Sequence, residues 1–198
     1  MLGGAPTTQA QMEMLRQLYP DTHFVNIYGM SENPFISVTR YEDTIEHTTQ
    51  TVGKPLSEID IEIRSFDVNV LPHGETGELF IKGDSMIICY YKLPVEMQVF
   101  DDKGYMSTGD LAYIDEQDYI HLVGRAKEVI NRNGKIVFPN EIALHISELE
   151  CISDVKVLGV PHESSGEEVA AALILKPGYS FNECEIIDYL SDKLAEYK

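Results

Sequence analysis

Three isoleucines at positions 59, 61 and 63 alternate with charged residues. This alternation is typical of a strand with one buried face. Other short apolar runs lie between residues 48 and 123 and are separated by turn residues; they cover residues 79–81, 86–91, 111–114 and 119–123. Short strands at regular spacing predict a small antiparallel sheet or β-barrel over residues 48–123.

The pattern before residue 48 is that of an α/β segment. Thr8 and Gln11 form a capping-box pair, and apolar residues then recur at helical spacing. The apolar run 24–28 predicts a buried strand that ends at Gly29, where a loop is expected to begin. We therefore assign residues 1–47 to a remnant of a larger α/β domain.

The character of the chain changes at Gly124. Residues 129–138 predict a hairpin that turns at Asn133-Gly134. A helix over 141–149, strands over 155–160 and 169–175, and a second helix capped by Asn182 should follow. We therefore predict an α+β fold with units 1–47, 48–123 and 124–198, the last an incomplete C-terminal α+β domain.

The chain is strongly acidic. Its 198 residues contain 33 Asp and Glu against 15 Lys and Arg, a formal net charge of −18. Such a field repels nucleic acid, and it would also repel phosphorylated small molecules unless their site is locally basic or bridged by a metal. Plain solubility explains the acidity equally well.

Cysteine usage and hydropathy bear on where the protein works. The three cysteines lie far apart, at positions 89, 151 and 184, without metal-type spacing. No signal peptide is recognised, and the longest apolar run, 86–91, is too short to span a bilayer. We expect a cytoplasmic protein without a transmembrane segment.

Four basic residues fall within one short segment: Arg125, Lys127, Arg132 and Lys135. In so acidic a chain, this cluster is a natural place for a phosphate group. A solvated basic turn, offset by Glu128, is the alternative.

Two polar motifs follow strand-like runs. Asp110, after Thr108-Gly109, has two carboxylate oxygens that can accept hydrogen bonds from a sugar diol. In the segment 28–32, Gly29 allows close backbone approach to a ligand, Ser31 can bond a phosphate, and Glu32 can hold a hard cation. Taken singly, each motif is a weak signal: an Asp at such a position is more commonly an ordinary turn residue, and the segment 28–32 can be an ordinary polar turn.

In combination, however, the motifs resemble the adenylate-forming superfamily, which includes acyl-CoA synthetases. The matching blocks, in family order, are residues 3–6, 28–32, 77–79, 105–110 and 124–142. The most specific is Gly124-Arg125-Ala126-Lys127-Glu128, followed by Gly134 and Pro139. The resemblance covers nearly the whole chain.

The resemblance implies a two-step ligase reaction. A carboxylic acid, with a fatty acid favoured, reacts with ATP to give an acyl-adenylate, and the thiol of coenzyme A then displaces AMP. ATP, Mg²⁺ and coenzyme A are thus the implied co-substrates and metal. Nothing in the sequence sets the oligomeric state.

Residue roles follow from the resemblance by position. Tyr28 corresponds to the aromatic residue that stacks on adenine, Asp110 to the carboxylate that binds the ribose hydroxyls, and Arg125 to a ribose or phosphate contact. The full nucleotide-binding set is Gly3, Gly4, Ala5, Pro6, Tyr28, Gly29, Ser31, Asp110 and Arg125.

The remaining roles concern metal and movement. Glu32 corresponds to the Mg²⁺ ligand, Lys127 to the hinge of a mobile C-terminal domain, and Gly134 to the thiol tunnel. Ser31 stands where the family usually has Thr, which keeps the hydroxyl.

The family's phosphate-binding loop should lie upstream of this sequence, and its catalytic Lys beyond Lys198. We therefore expect a fragment that is inactive alone. Two alternatives remain open: a peptide-synthetase-type adenylation domain, and a non-catalytic protein that binds a nucleotide or a partner.

Overall fold

The computed structural model describes residues 1–4, 7–92, 99–180 and 183–198. The chain divides into two compact units, Met1–Leu122 and Val123–Lys198. Within the described ranges the strands form three four-stranded sheets, none of which closes into a barrel. The predicted α+β class is confirmed, and the residues for which a barrel or sheet was expected form an open sheet.

Local sequence signals account for the helices. The Thr8 hydroxyl accepts a hydrogen bond from the Gln11 amide, and the Gln11 side chain accepts one from the Thr8 amide, so the predicted capping box is confirmed. Asn182, the proposed cap of the last helix, lies outside the described residues. No helix in the described part of the chain is long and apolar enough to cross a bilayer. The helices are α1 (Gln9–Leu18), α2 (Ile45–Gln50), α3 (Pro139–Ser147) and α4 (Glu183–Ser191).

The first sheet has the order β1-β2-β3-β4. Its strands are β1 (Leu2–Gly3), β2 (Asn26–Met30), β3 (Asn33–Val38) and β4 (Lys54–Pro55). β1 pairs with β2 in parallel, and the other pairs are antiparallel. The prediction that a loop begins at Gly29 is wrong, because β2 continues to Met30, which pairs with Asn33 across a tight turn.

The second sheet has the order β5-β6-β7-β8. Its strands are β5 (Ile59–Arg64), β6 (Gly77–Gly83), β7 (Met106–Ile114) and β8 (Ile120–Arg125). The predicted strand over 86–91 is absent, since turns and irregular backbone occupy these positions. The run is apolar in composition, but Ile88 and Tyr91 are 93% and 87% exposed, so no buried face holds it in a sheet.

The first two sheets share one hydrophobic core. Tyr28 and Ile36 of the first sheet belong to the same buried cluster as Leu79 and Met106 of the second. Burial of such side chains is the main favourable contribution to folding. The shared core fixes β2 and β7 relative to each other.

The second unit contains the third sheet, of order β10-β9-β12-β11. Its strands are β9 (Ile130–Arg132), β10 (Lys135–Val137), β11 (Ile152–His162) and β12 (Gly166–Leu175). The predicted Asn133-Gly134 hairpin is confirmed, and both residues have positive φ, 53° and 78°, as a type I′ turn requires. The hydrophobic core of the second unit joins the third sheet to α3 and α4. It contains Ile130, Val137, Ile142, Ile146, Ile152, Val157 and Ile186.

Candidate functional site

Tyr28 and Asp110 meet where the first two sheets pack together. The Tyr28 hydroxyl donates a hydrogen bond of 2.5 Å to Oδ2 of Asp110 across 82 residues of sequence. Each residue is only 9% exposed. A phenol that donates to a carboxylate forms a short, charge-assisted hydrogen bond. The structure thus joins two residues that were singled out from separate motifs.

The hydroxyl group of Thr108 holds the backbone that carries Asp110. Its Oγ1 donates to the carbonyl of Leu79 at 3.0 Å and accepts from the amide of Asp110 at 3.1 Å. Ser107 adds a bond to Glu78 and accepts from the amide of Gly109. The Asp110 segment of β7 is therefore tied to β6 by side chains as well as by the strand ladder.

A buried polar network anchors β2, the strand that carries Tyr28. The amide of Asn26 donates to Oγ1 of Thr39 at 2.7 Å, and its side-chain nitrogen donates to the carbonyl of Thr51 at 3.1 Å. The Ser37 hydroxyl donates to the carbonyl of Val52 at 2.7 Å. These bonds satisfy polar groups that would otherwise be buried without partners; the two made by Asn26 hold the start of β2, and the one made by Ser37 holds the neighbouring strand β3.

Three of the predicted glycines line one surface cavity. The cavity has a volume of about 260 Å³, and Gly3, Gly4 and Gly29 contribute to its wall. A Cβ atom at Gly29 would lie 2.1 Å from the carbonyl oxygen of Pro34, so only glycine fits there. Ala5 and Pro6, the other half of the predicted loop, lie outside the described residues.

Ser31 and Glu32 form the turn between β2 and β3. Glu32 accepts a hydrogen bond from the Tyr90 hydroxyl, and this bond raises the pKa of Tyr90. Among the described residues, Glu32 included, no three His, Cys, Asp or Glu side chains cluster as metal ligands. A single carboxylate suits Mg²⁺ that is held mainly by substrate phosphates. Glu32 alone is thus a suitable ligand for the predicted metal, which stays a prediction.

The basic segment lies in and before the β9–β10 hairpin. Arg125 ends β8, and Lys127 is exposed within a single 3₁₀ turn, Ala126–Glu128. Arg132 is paired with Glu168, Nε to Oε2, at 2.7 Å. Gly134 occupies the hairpin tip, where its amide donates to Asn131 Oδ1 at 2.9 Å. One member of the proposed phosphate cluster is thus engaged in a structural ion pair.

Sequence reasoning missed a set of contacts made by the last two residues. Arg132 donates to the carbonyl of Tyr197 at 3.1 Å, and the Lys135 ammonium lies 4.7 Å from the centre of the Tyr197 ring. The Lys198 ammonium is 2.6 Å from both carboxylate oxygens of Glu141. Neither spacing nor a motif signals these partners, because they lie more than 50 residues apart.

Comparison with known proteins agrees with this geometry. Residues 1–91 match the family model of the AMP-binding enzymes. The chain is 32% identical to 4-coumarate–CoA ligase-like 9 of Arabidopsis thaliana, and this match covers 99% of the chain and 35% of that protein. It is 30% identical to the long-chain-fatty-acid–CoA ligase of Escherichia coli O6:H1, covering 99% and 34% respectively.

Solved structures give the same result. The chain superposes on ATP-bound MatB from Rhodopseudomonas palustris with a TM-score of 0.89 at 28% identity, covering 99% of this chain and 39% of that one. For o-succinylbenzoate CoA synthetase of Bacillus subtilis, in complex with an acyl-adenylate, the TM-score is 0.81 at 26% identity, covering 99% and 40%.

By sequence motifs and by fold, the chain belongs to the AMP-binding, adenylate-forming superfamily. The two curated relatives named above are CoA ligases, and the chain spans about a third of the length of each. The resemblance drawn from the motifs is thereby confirmed.

Proposed function

We propose that the chain forms the adenosine-binding part of an ATP-dependent acyl-CoA synthetase. The observation that carries the proposal is the meeting of Tyr28 and Asp110, an aromatic ring and a carboxylate, at 2.5 Å. The two side chains are suited to a purine and a ribose, respectively. The CoA ligases among its relatives support the assignment.

The proposed reaction has two steps. A carboxylate oxygen of the acid attacks the α-phosphorus of ATP, and the bond between that phosphorus and pyrophosphate breaks. The thiolate of coenzyme A then attacks the acyl carbonyl, forms the thioester and releases AMP. The protein's part in such chemistry is mainly positioning and charge stabilisation. A fatty acid is the acid we propose, on the strength of the relatives' names.

In this scheme the first unit binds the nucleoside. Asp110 accepts hydrogen bonds from the two ribose hydroxyls and Tyr28 stacks on adenine. The glycine-lined cavity admits part of the nucleotide. The Ser31 hydroxyl donates a hydrogen bond to a phosphate oxygen. Glu32 would hold Mg²⁺, which supplies positive charge to the phosphates when it is bound.

The second unit supplies the moving part. We propose that the chain has three successive units, 1–47, 48–123 and 124–198. The last of them belongs to a mobile domain that turns about Lys127. Arg125 would contact the ribose or phosphate, and the Gly134 turn would line the thiol path. Because a phosphate-binding loop and a catalytic Lys are not recognised here, we expect these 198 residues alone to show no acid-dependent pyrophosphate exchange.

A second candidate keeps adenylation but changes the acceptor. The chain superposes on the amide bond synthetase McbA from Marinactinospora thermotolerans with a TM-score of 0.82 at 27% identity. An amine would then replace the thiol in the second step. Product analysis with coenzyme A and with an amine, each supplied alone, separates the two candidates.

The test replaces Asp110 with Ala in the full-length gene product. Two hydrogen bonds to a charged group, each worth about 1.5–3 kcal/mol, would be lost. We expect pyrophosphate-exchange efficiency to fall by about two orders of magnitude or more.

Asp43→Ala provides the matched control. Asp43 also accepts a 2.5 Å hydrogen bond from a buried tyrosine, Tyr119, but belongs to none of the matching motifs. Its loss should leave exchange unchanged. Unchanged exchange in Asp110→Ala would show that Asp110 does not bind the ribose.

A further inference from the structure

We propose that the Tyr28 hydroxyl positions the Asp110 carboxylate for the ribose, a role distinct from stacking of its ring on adenine. This inference rests on the proposed function, since it concerns the same site. It assigns the two parts of one side chain to two parts of the ligand: the ring to the base and the hydroxyl, through Asp110, to the sugar.

The first argument concerns the freedom of a carboxylate. The terminal torsion of an Asp side chain is broad, so its plane is not set by its own covalent structure. A hydrogen bond of 2.5 Å from Tyr28 to Oδ2 fixes that plane. An accepting carboxylate oxygen has more than one lone pair, so Oδ2 can accept from Tyr28 and still take part in binding a diol.

The second argument concerns what holds the tyrosine. Its ring is packed in the core shared by the first two sheets, together with Ile36 and Leu79. A residue only 9% exposed within a close-packed core has little rotational freedom. The hydroxyl is therefore a fixed donor.

The third argument concerns the other end of Asp110. Its amide donates to Oγ1 of Thr108, which in turn donates to the carbonyl of Leu79. The backbone is thus fixed from β6 and the carboxylate from β2. Support from two sides is the arrangement that pre-organises a binding group and lowers the entropy lost on binding.

A ligand pair isolates this role. AMP has both ribose hydroxyls, and 2′,3′-dideoxyadenosine 5′-monophosphate has neither, while base and phosphate are the same. Tyr28→Phe keeps the ring and removes only the hydroxyl. If the hydroxyl acts through Asp110 on the ribose, Tyr28→Phe should weaken the binding of AMP by about tenfold and leave the affinity for the dideoxy analogue unchanged.

The experiment is calorimetric titration of both ligands into the full-length gene product. The variants are Tyr28→Phe, Asp110→Ala and the two combined. Tyr119→Phe is the matched control, because it removes the hydroxyl of another buried tyrosine that donates to a carboxylate at the same 2.5 Å. We expect the combined variant to bind AMP no more weakly than Asp110→Ala, and the control to match the wild type.

Each outcome has one meaning. Equal weakening of both ligands in Tyr28→Phe would overturn positioning and assign the effect to packing or stacking. If Tyr28→Phe kept the wild-type preference for AMP over the dideoxy analogue while Asp110→Ala lost that preference, the positioning role of Tyr28 would be overturned and the ribose assignment of Asp110 would stand. Absence of AMP binding, or of any preference for AMP in the wild type, would overturn the ribose assignment and the inference with it.

Discussion

At the scale of single residues, the carboxyl group of Glu148 has a strongly lowered pKa. Hydrogen bonds from the Lys193 ammonium at 2.6 Å and the Tyr189 hydroxyl at 2.7 Å lower its pKa to about 2. Because the folded-state pKa is depressed, the resulting stabilisation is present above pH 4.5 and is lost as the pH falls to about 2. Its magnitude is small, since exposed pairs are screened by solvent.

We predict that Lys193→Met raises the pKa of Glu148 toward its ordinary value, because the charge-assisted bond disappears. Carboxyl chemical shifts followed by NMR between pH 2 and 6 would measure this change. Lys156→Met is the control, since that ammonium lies 4.0 Å from a different carboxylate, Glu128. A Glu148 titration that is the same in wild type and Lys193→Met would refute the prediction.

What the sequence reveals at this scale depends on distance along the chain. The Thr8–Gln11 capping pair was predictable, because its partners are three residues apart. Tyr28 and Asp110 could each be singled out from a motif, but their hydrogen bond could not be predicted. It depends on how two sheets pack, which no local pattern encodes.

At the scale of elements, turn chemistry predicted more than apolar content did. Asn133-Gly134 specified its hairpin because few residues adopt positive φ. The run 86–91 predicted a strand that is absent, because apolar composition alone does not supply a partner strand. The strand expected at 24–28 is present, but it begins two residues later, at Asn26, where the ladder with β1 begins.

We predict that Gly134→Ala destabilises the second unit by about 1–2 kcal/mol. No atom lies within 4 Å of the added Cβ, so the cost comes from the positive φ of 78° and not from a clash. Urea unfolding would measure the free-energy change.

Gly124→Ala is the control for this change. A Cβ at Gly124 meets the Asn140 side chain at an ordinary 3.4 Å, and its φ lies outside the left-handed region. Equal stability of Gly134→Ala and wild type would mean that the turn relaxes to a conformation open to any residue.

At the scale of the whole molecule, the chain consists of two compact units that meet in sequence at Leu122 and Val123. The hinge proposed at Lys127 lies four residues beyond that point, in the 3₁₀ turn Ala126–Glu128. The motif order predicted the family, and the pattern of apolar and polar positions predicted the α+β class. The motion itself stays a prediction.

We predict that Lys127→Pro slows one half-reaction far more than the other. Proline fixes φ and removes a backbone donor, so it should favour one orientation of a hinge. Adenylate formation and thioester formation would be assayed separately in the full-length gene product.

Lys127→Ala is the control, because it removes the charge and leaves the backbone free. Equal losses in the two half-reactions of Lys127→Pro would contradict a hinge at this position. Circular dichroism of both variants would test whether the fold is retained.

The separation between Tyr28 and Asp110 also has a consequence for the order of folding. The β9–β10 and β11–β12 pairs join neighbours in sequence, whereas Tyr28 reaches Asp110 across 82 residues. Loop-closure entropy rises with the length of chain enclosed, so distant pairs form late. We expect the two hairpins to close early and the Tyr28–Asp110 bond to form among the last contacts. Partly folded chains would then have secondary structure without the Tyr28–Asp110 pair that we propose to bind the nucleoside.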